Sequence, residues 1–315
     1  MSILESKKRW IQIFLLVIGV FLLSFIILKS GITENFQTLL TISIPLLIIA
    51  FILSNLNILV KVYRWKFLCQ KYGQPITFSE ASIVTVSSLY YANITPGKIG
   101  DLFKAYYMQK KHSLNFFDGV SMIFYERFFE LVILFLAASA IILIEFRGIT
   151  VIVMETSAII ILLLTLFYYK AGYFMSLAEK IVIRLPLLNI KEVNFHIRKL
   201  PFHQIVAVFF ITLISLILEF VRIWVVVLAF GYLINPLQIS MFFSLAIIAG
   251  LISQIPLGIG IMEGSLDFLI QKMGIDPVSS IAIVLTDRTI SMYYALVLGF
   301  IFSKFSFDKL SEASI

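Results

Sequence analysis

Residues 91–104 read YANITPGKIGDLFK. The stretch follows a run of small and apolar residues, where a membrane-spanning helix would ordinarily continue, and it leads into a basic segment. Pro96 and Gly97 stop a helix, because proline lacks the N–H that the next turn needs and glycine loosens the backbone. Gly100 permits a tight turn and close backbone approach, and a second half-helix is expected to begin near Asp101. Its first N–H groups point outward without intrahelical partners and suit an anion. Irregular backbone at membrane depth is tolerated only where it is buried in protein or lines a wet cavity. An interrupted helix beside a polar interior is the expectation.

The rest of the chain places this stretch in a membrane. Of 315 residues, 60% are hydrophobic and 14% charged, and the mean hydropathy is +1.02. A soluble domain carries about 45–50% apolar and about 25% charged residues, so this excess cannot be absorbed in a core. A single cysteine, Cys69, gives no disulfide framework, and three scattered histidines give no zinc-protease motif. No metal and no cofactor is expected. The formal charge of +7 fits cytoplasmic loops and anionic headgroups better than nucleic acid. The basic start and long apolar stretch of residues 1–31 lack a small-x-small cleavage site and read as an uncleaved first helix.

Six stretches are long enough to span: about Trp10–Leu28, Leu39–Val60, Asp118–Ile144, Ile149–Tyr169, Ile205–Tyr232 and Ser280–Phe302. Two further apolar segments, Ser79–Ile94 and Ser240–Ile270, are broken by TPGKIGD and by IPLGIGIMEG. Lys7, Lys8 and Arg9 place the N-terminus in the cytoplasm. Lys61, Arg64, Lys66 and Lys71 before the first broken segment, and Lys98, Lys104, Lys110 and Lys111 along its far side, both read as inside. Ser79–Lys111 is then a re-entrant helical hairpin. The linker Lys170–Lys199 is basic and reads as a cytoplasmic loop or a segment lying on the membrane surface. The tail from Lys304 is also inside, which makes Ser240–Lys272 a second re-entrant hairpin entered from outside. The expected architecture is all-α and polytopic in the cell membrane, one domain over residues 1–315, with six spans, two hairpins and both termini cytoplasmic.

The two broken segments are related. Arg64 aligns with Arg222 and Gly73 with Gly231 at an offset of 158; Pro96 with Pro256 and Gly100 with Gly260 at 160; Glu126–Arg127 with Asp287–Arg288 at 161. The matched residues are the rare ones in such a chain. One span between the copies inverts the second, giving inverted repeats over about 44–145 and 203–303. Secondary transporters recurrently use this plan, with the broken helices meeting at a midplane site.

Charges within spans are costly and are candidate functional groups. Glu126, Arg127 and Glu130 share one span, Glu219 and Arg222 another, and Asp287 and Arg288 the last. Arg127–Glu130 and Glu219–Arg222 are each spaced i, i+3 on one helix face. Structural pairing between helices is the plainer reading of these groups. The functional reading is that guanidinium forks match phosphate, so Arg64, Arg127, Arg222 and Arg288 suit an anionic headgroup, with Lys98 beside the first turn. Lys98 and Lys104 also fit simple inside bias. Glu263 is a proton or cation site, or an acid complementing a helix N-terminus. The candidate site is Arg64, Asn93, Pro96, Gly97, Lys98, Gly100, Asp101, Lys104, Glu126, Arg127, Arg222, Pro256, Gly258, Gly260, Glu263, Asp287 and Arg288. GKIGD lacks the spacing of a phosphate-binding P-loop.

NITPGKIGDLFKAY, then YERFFELVIL, then PLGIGIMEG together resemble the lysylphosphatidylglycerol synthase transmembrane region, a family of flippase-like membrane proteins in bacteria and archaea. The resemblance covers about residues 10–303. It implies movement of a lipid between leaflets. In bifunctional members a separate cytosolic domain makes lysyl-phosphatidylglycerol; this chain runs to Ile315 soon after its last span, so aminoacyl transfer is not expected. Lys104 stands where relatives often have arginine, which keeps the charge and loses the fork. Stand-alone members are associated with glycolipid or polyprenyl-phosphate pathways beside glycosyltransferases.

The leading expectation is a non-enzymatic translocase of an anionic phospholipid or polyprenyl-phosphate-linked intermediate. Its five basic residues Arg64, Lys98, Arg127, Arg222 and Arg288 would neutralise phosphate, and Glu126, Glu263 and Asp287 would bind a cationic moiety or a coupling proton. A membrane partner subunit for a glycosyltransferase is the alternative. A membrane enzyme is the weakest reading, since no nucleophile–base pair or carboxylate cluster stands out.

Overall fold

The computed structural model describes residues 42–145 and 200–312, with residue 17 and a short helix α1, Gly19–Leu28. The expected span Ile149–Tyr169 and the linker Lys170–Lys199 lie outside the described residues, as does the start of the first span. Among the described residues all regular structure is helical.

Two runs of helices follow one another. The first comprises α2 (Ile44–Lys71), α3 (Phe78–Ile94), a 3-10 turn (Pro96–Asp101), α4 (Leu102–His112) and α5 (Phe116–Glu145). The second comprises α6 (Phe202–Ala229), α7 (Pro236–Ile252), a turn (Pro256–Gly258), α8 (Ile261–Lys272) and α9 (Pro277–Arg288), which continues through a π turn (Thr289–Tyr293) into α10 (Tyr294–Glu312). Counterparts match in length: 28 and 28 residues for α2 and α6, 17 and 17 for α3 and α7, 11 and 12 for α4 and α8. At 1.5 Å per residue a 17-residue helix is about 25 Å long, short of the roughly 30 Å hydrocarbon core.

Among the described residues three helices are long and apolar enough to cross a membrane: Ile44–Lys71, Phe202–Ala229 and the continuous Pro277–Ser306, with hydropathies of 2.1, 2.4 and 1.4. The predicted span Asp118–Ile144 forms α5, 30 residues long, with Asp118, Glu126, Arg127 and Glu130 along its first half. The predicted break at 95–101 is present. Proline opens each turn, and both turns pass through two consecutive left-handed residues, Gly97 and Lys98 in the first, Leu257 and Gly258 in the second. Left-handed backbone also recurs at Gly73 and Gly231, and at Ser113 and Gly274. These pairs fall at 158, 160 and 161, the offsets of the sequence alignment.

The two runs interlock. α2 packs along α6, α3 along α10, and α5 along α7, while the two turns touch each other. A Cβ on Gly97 would stand 2.6 Å from Gln254 Oε1, which marks that contact. Where lipid surrounds the protein, close approach and van der Waals packing hold helices together, because lipid tails are as apolar as leucine. Gly299 serves this at the α3–α10 crossing, where an added Cβ would lie 2.7 Å from the Val86 carbonyl oxygen. One core gathers around the fully buried Trp65, Leu68, Tyr107, Met108 and Met122, and a second around Ile223, Val226, Phe243, Leu266 and Ile283.

The charges used to orient the first hairpin divide in two. Arg64 and Lys104 are buried, and Lys61 and Lys98 line an internal cavity. The predicted helix end at Val60 is overrun: α2 continues to Lys71 because Lys61 and Arg64 face the protein interior. Only Lys66, Lys71, Lys110 and Lys111 remain as loop-type charges for that argument, and Lys111 pairs with Glu80 at 2.9 Å.

Candidate functional site

The turns and the middle of α2, α3, α5, α6 and α7 enclose a cavity of about 190 Å³. It is small beside the roughly 300–1,000 Å³ pockets that enclose drug-sized ligands, so it has room for a headgroup and none for acyl chains. Seven cationic side chains line it: Lys61, Arg64, Lys98, Lys104, Arg127, Arg222 and Arg288. The carboxylates on the same wall are Glu130 and Glu219.

Helix periodicity puts one polar row of α2 on this wall. Ser54, Asn57, Lys61 and Arg64 recur every three or four residues and therefore share a face. Lys61 Nζ and Asn57 Nδ2 each donate to Glu219 Oε1 at 2.7 Å, and Ser215 Oγ donates to Asn57 Oδ1 at 2.5 Å. One turn on, Arg64 Nε donates to Glu126 Oε1 at 3.1 Å and its Nη1 to Thr212 Oγ1 at 3.0 Å. Lys104 Nζ donates to the other Glu126 oxygen at 2.7 Å and lies over the Trp65 ring. Glu126 thus holds two cations and is 1% exposed.

Around the first turn, Arg127 donates from Nε and Nη2 to Asp101 Oδ2, and from Nη1 to Glu130 Oε2 at 2.5 Å. Ser88 Oγ donates to Asp101 Oδ1 at 2.7 Å. Around the second turn, Arg288 Nε donates to Glu263 Oε1 at 2.7 Å and Nη2 to the Leu257 carbonyl at 2.7 Å. Glu263 Oε2 also accepts the Gly260 N–H at 2.7 Å. Arg222 grips Asp287 through both carboxylate oxygens, at 2.9 and 3.2 Å. The aligned residues therefore pair alike: Arg64 with Glu126 as Arg222 with Asp287, and each turn arginine with an acid at its own turn.

This geometry bears on the carboxylates and on the half-helix N-termini. Glu126, Glu263 and Asp287 do not line the cavity; they are buried behind the guanidinium and ammonium groups and already occupied by them. In this arrangement each is the counter-charge of a cavity-lining cation. The N-terminus of α8 is occupied by Glu263 in its first turn, whereas Asp101 ahead of α4 turns its carboxylate to Ser88 and Arg127, and Gly100 N donates to Thr95 Oγ1 at 2.7 Å. At the second turn an incoming anion would meet Glu263 before the Gly260 N–H.

Exposure separates the seven cations. Arg127 and Lys61 keep 26% and 19% side-chain exposure, and Glu130 and Glu219 keep 12% and 13%. Arg64, Lys104 and Arg222 keep 4%, and Arg288 7%. Lys98 is half-buried at the cavity, its backbone N–H donates to the Thr95 carbonyl at 3.3 Å, and its side chain makes no ion pair or hydrogen bond with another described residue. Lys61, Lys98 and Arg127 are therefore the groups within reach of a ligand, while Arg64, Lys104, Arg222 and Arg288 brace the wall. Asn93 also lines the cavity. Of the turn residues, Gly97, Leu257 and Gly258 line it, Pro96 and Pro256 open the turns, and Gly100 and Gly260 make close contacts, with Tyr91 and with α1.

Sequence reasoning placed Arg64 and Lys104 at the ligand and passed over Lys61, Asn57 and Gln254. The polar row on α2 was the signal for the first two. For Gln254, which reaches the opposite turn, no local signal exists. Among the described residues no three histidine, cysteine or acidic side chains stand together as a metal site.

Residues 11–299 match the protein family described as the lysylphosphatidylglycerol synthase TM region. Relatives include UPF0104 membrane proteins from three archaea. That of Methanothermobacter thermautotrophicus is 25% identical, with 95% of this chain and 94% of the relative covered. That of Methanocaldococcus jannaschii is 23% identical, covering 91% and 92%, and that of Pyrococcus horikoshii 22%, covering 90% and 94%.

Proposed function

The chain belongs to the lysylphosphatidylglycerol synthase transmembrane-region family, and on that premise we propose that it translocates an anionic lipid headgroup between leaflets through the cavity between its two turns. The observation that carries the reading is the wall itself. Seven cations line one headgroup-sized cavity, and four of the six carboxylates that hold them lie behind the wall or at the turns rather than on it. Charged side chains at membrane depth are costly, so a cluster of this size is retained for a ligand or a path. Arg127 is held by Asp101 and Glu130 and Lys61 by Glu219, which fixes their geometry, and each keeps N–H groups beyond those bonds for phosphate oxygens.

In this reading the two helical runs are inverted repeats. α3 with α4, and α7 with α8, form re-entrant hairpins entered from opposite faces, and both termini are cytoplasmic. The 17-residue helices, too short to cross, support it, as do the shared offsets of the left-handed positions and the contact between the two turns. The headgroup passes between the hairpins while the tails remain in lipid. Charge-to-charge contacts at fixed donors favour anionic over zwitterionic lipids and require no chemical step.

The test is movement of fluorescent phosphatidylglycerol in proteoliposomes, scored with an impermeant quencher. Arg127→Ala protein that is folded and inserted should move it at least about tenfold more slowly, the loss expected for a charge-assisted hydrogen-bonded contact. Wild-type rates in that variant would remove Arg127 from the path. No movement of any lipid by folded wild-type protein would remove the function.

A further inference from the structure

We infer that the cavity selects a headgroup of one net negative charge, a phosphodiester, over a dianionic phosphomonoester and over a cationic aminoacylated headgroup. The inference rests on the translocase reading of the same cavity and adds the charge class of its substrate.

The first observation is the balance of charge. The groups within reach are Lys61, Lys98 and Arg127 against Glu130 and Glu219, one positive charge in surplus. Adding the buried groups does not change this: Arg64, Lys104, Arg222 and Arg288 are matched by Asp101, Glu126, Glu263 and Asp287. An uncompensated charge at membrane depth is unfavourable, and a ligand of charge minus one neutralises it. A phosphodiester carries that charge. A phosphomonoester carries close to minus two at neutral pH, and its second charge would face Glu130 and Glu219. An ammonium-bearing headgroup of net positive charge would add to the surplus.

The second observation is backbone geometry. Lys98 sits at φ 56°, ψ 27°, a left-handed conformation in which a side chain is strained. The aligned position of the second turn is Gly258, at φ 64°, where the same conformation costs nothing. The fold needs a left-handed residue at both places. Each turn puts one side chain in left-handed backbone, Leu257 in the second and Lys98 in the first, and at this position the side chain of the first turn is the surplus cation. A third observation agrees: the Thr85 hydroxyl lines the same cavity, is 1% exposed and has no hydrogen-bond partner among the described residues. A phosphoryl oxygen would accept from it.

Equilibrium binding tests this apart from transport. The purified full chain in detergent would be titrated calorimetrically at pH 8 with short-chain phosphatidylglycerol, phosphatidic acid, phosphatidylcholine and lysyl-phosphatidylglycerol, and with dimethyl phosphate as a tail-free diester. Wild type should bind phosphatidylglycerol tightest of the four lipids, by about tenfold over the lysyl form. Weaker dimethyl phosphate binding means the diester is read as part of a lipid; equal binding means the diester alone is read, and both support the charge class. Lys98→Gly, which keeps the turn and relieves its strain, should weaken phosphatidylglycerol binding about tenfold without lowering the unfolding temperature. Glu219→Gln frees Lys61, raises the surplus to two, and should shift preference toward phosphatidic acid. Equal or tighter wild-type binding of the lysyl or zwitterionic lipid, or an unchanged preference in Glu219→Gln, would overturn the inference. Binding as expected without lipid movement would sink the translocase reading and leave the charge class standing; the reverse result would do the opposite.

Discussion

Replacing Glu126 by glutamine separates a structural counter-charge from a transport carboxylate. Glu126 is 1% exposed, accepts from Arg64 at 3.1 Å and from Lys104 at 2.7 Å, and both cations keep only 4% side-chain exposure. Glutamine has the same shape and no charge, so the substitution leaves two cations facing each other with nothing between them. Removing one partner of a buried ion pair costs about 3–5 kcal/mol, because the remaining charge has no compensation. Here two remain, which places the cost at the upper end, about 5 kcal/mol. Lys104→Met should behave differently. It leaves a neutral Arg64–Glu126 pair and an apolar chain against Trp65, and should cost about 1–2 kcal/mol for the lost charged hydrogen bond. The assay is thermal unfolding of the purified variants in detergent, followed by loss of monodisperse protein on gel filtration. Glu126→Gln should unfold far below wild type and Lys104→Met close to it. A Glu126→Gln protein as stable as wild type and defective only in lipid movement would refute the counter-charge argument and return Glu126 to a coupling role.

Three further outcomes are expected. Gly100→Ala should abolish folding or insertion, since a Cβ there would overlap the backbone carbonyl of Tyr91, and the yield of monodisperse protein reads this. Lys98→Gly should match or exceed wild-type stability by up to about 1 kcal/mol, as relief of left-handed strain outweighs the added freedom of the unfolded chain, which thermal unfolding resolves. Asp276 caps α9 by accepting the Ser279 N–H at 2.9 Å, and Asp276→Ala should cost about 1 kcal/mol. Burial pushes the Asp276 carboxyl up, but the Tyr232 hydroxyl and the Ser279 N–H outweigh it and hold the group below its ordinary value. Its contribution is therefore present above the unfolded aspartate value and lost as pH falls through the lower folded one, so wild type and Asp276→Ala should converge in unfolding temperature on acidification.

The turns were legible because proline and glycine are rare in apolar helices and have few uses there. Pro96 and Gly100, and their aligned partners Pro256 and Gly260, 160 residues on, marked where each short helix stops. The charges were legible as a set but not as pairs. Glu219 and Arg222 share a helix face, yet Glu219 meets Lys61 across α2 and Arg222 meets Asp287. Partners 65 or more residues apart are set by packing, which no local pattern encodes. The end of α2 was misread for a related reason. Hydropathy falls where Lys61 and Arg64 begin, but the helix persists because those charges point into the protein. The same error made Arg64 and Lys104 look like loop charges, when they brace the cavity wall.

The most direct test of the account compares two fluorescent lipids with identical tails, phosphatidylglycerol and phosphatidylcholine, in proteoliposomes of the wild-type protein. The rate at which an impermeant quencher reaches each label-bearing headgroup pool gives movement between leaflets. The account expects phosphatidylglycerol to move faster than in protein-free vesicles and faster than phosphatidylcholine. Equal rates for the two lipids would contradict a charge-reading cavity, and rates no higher than in protein-free vesicles would contradict translocation itself.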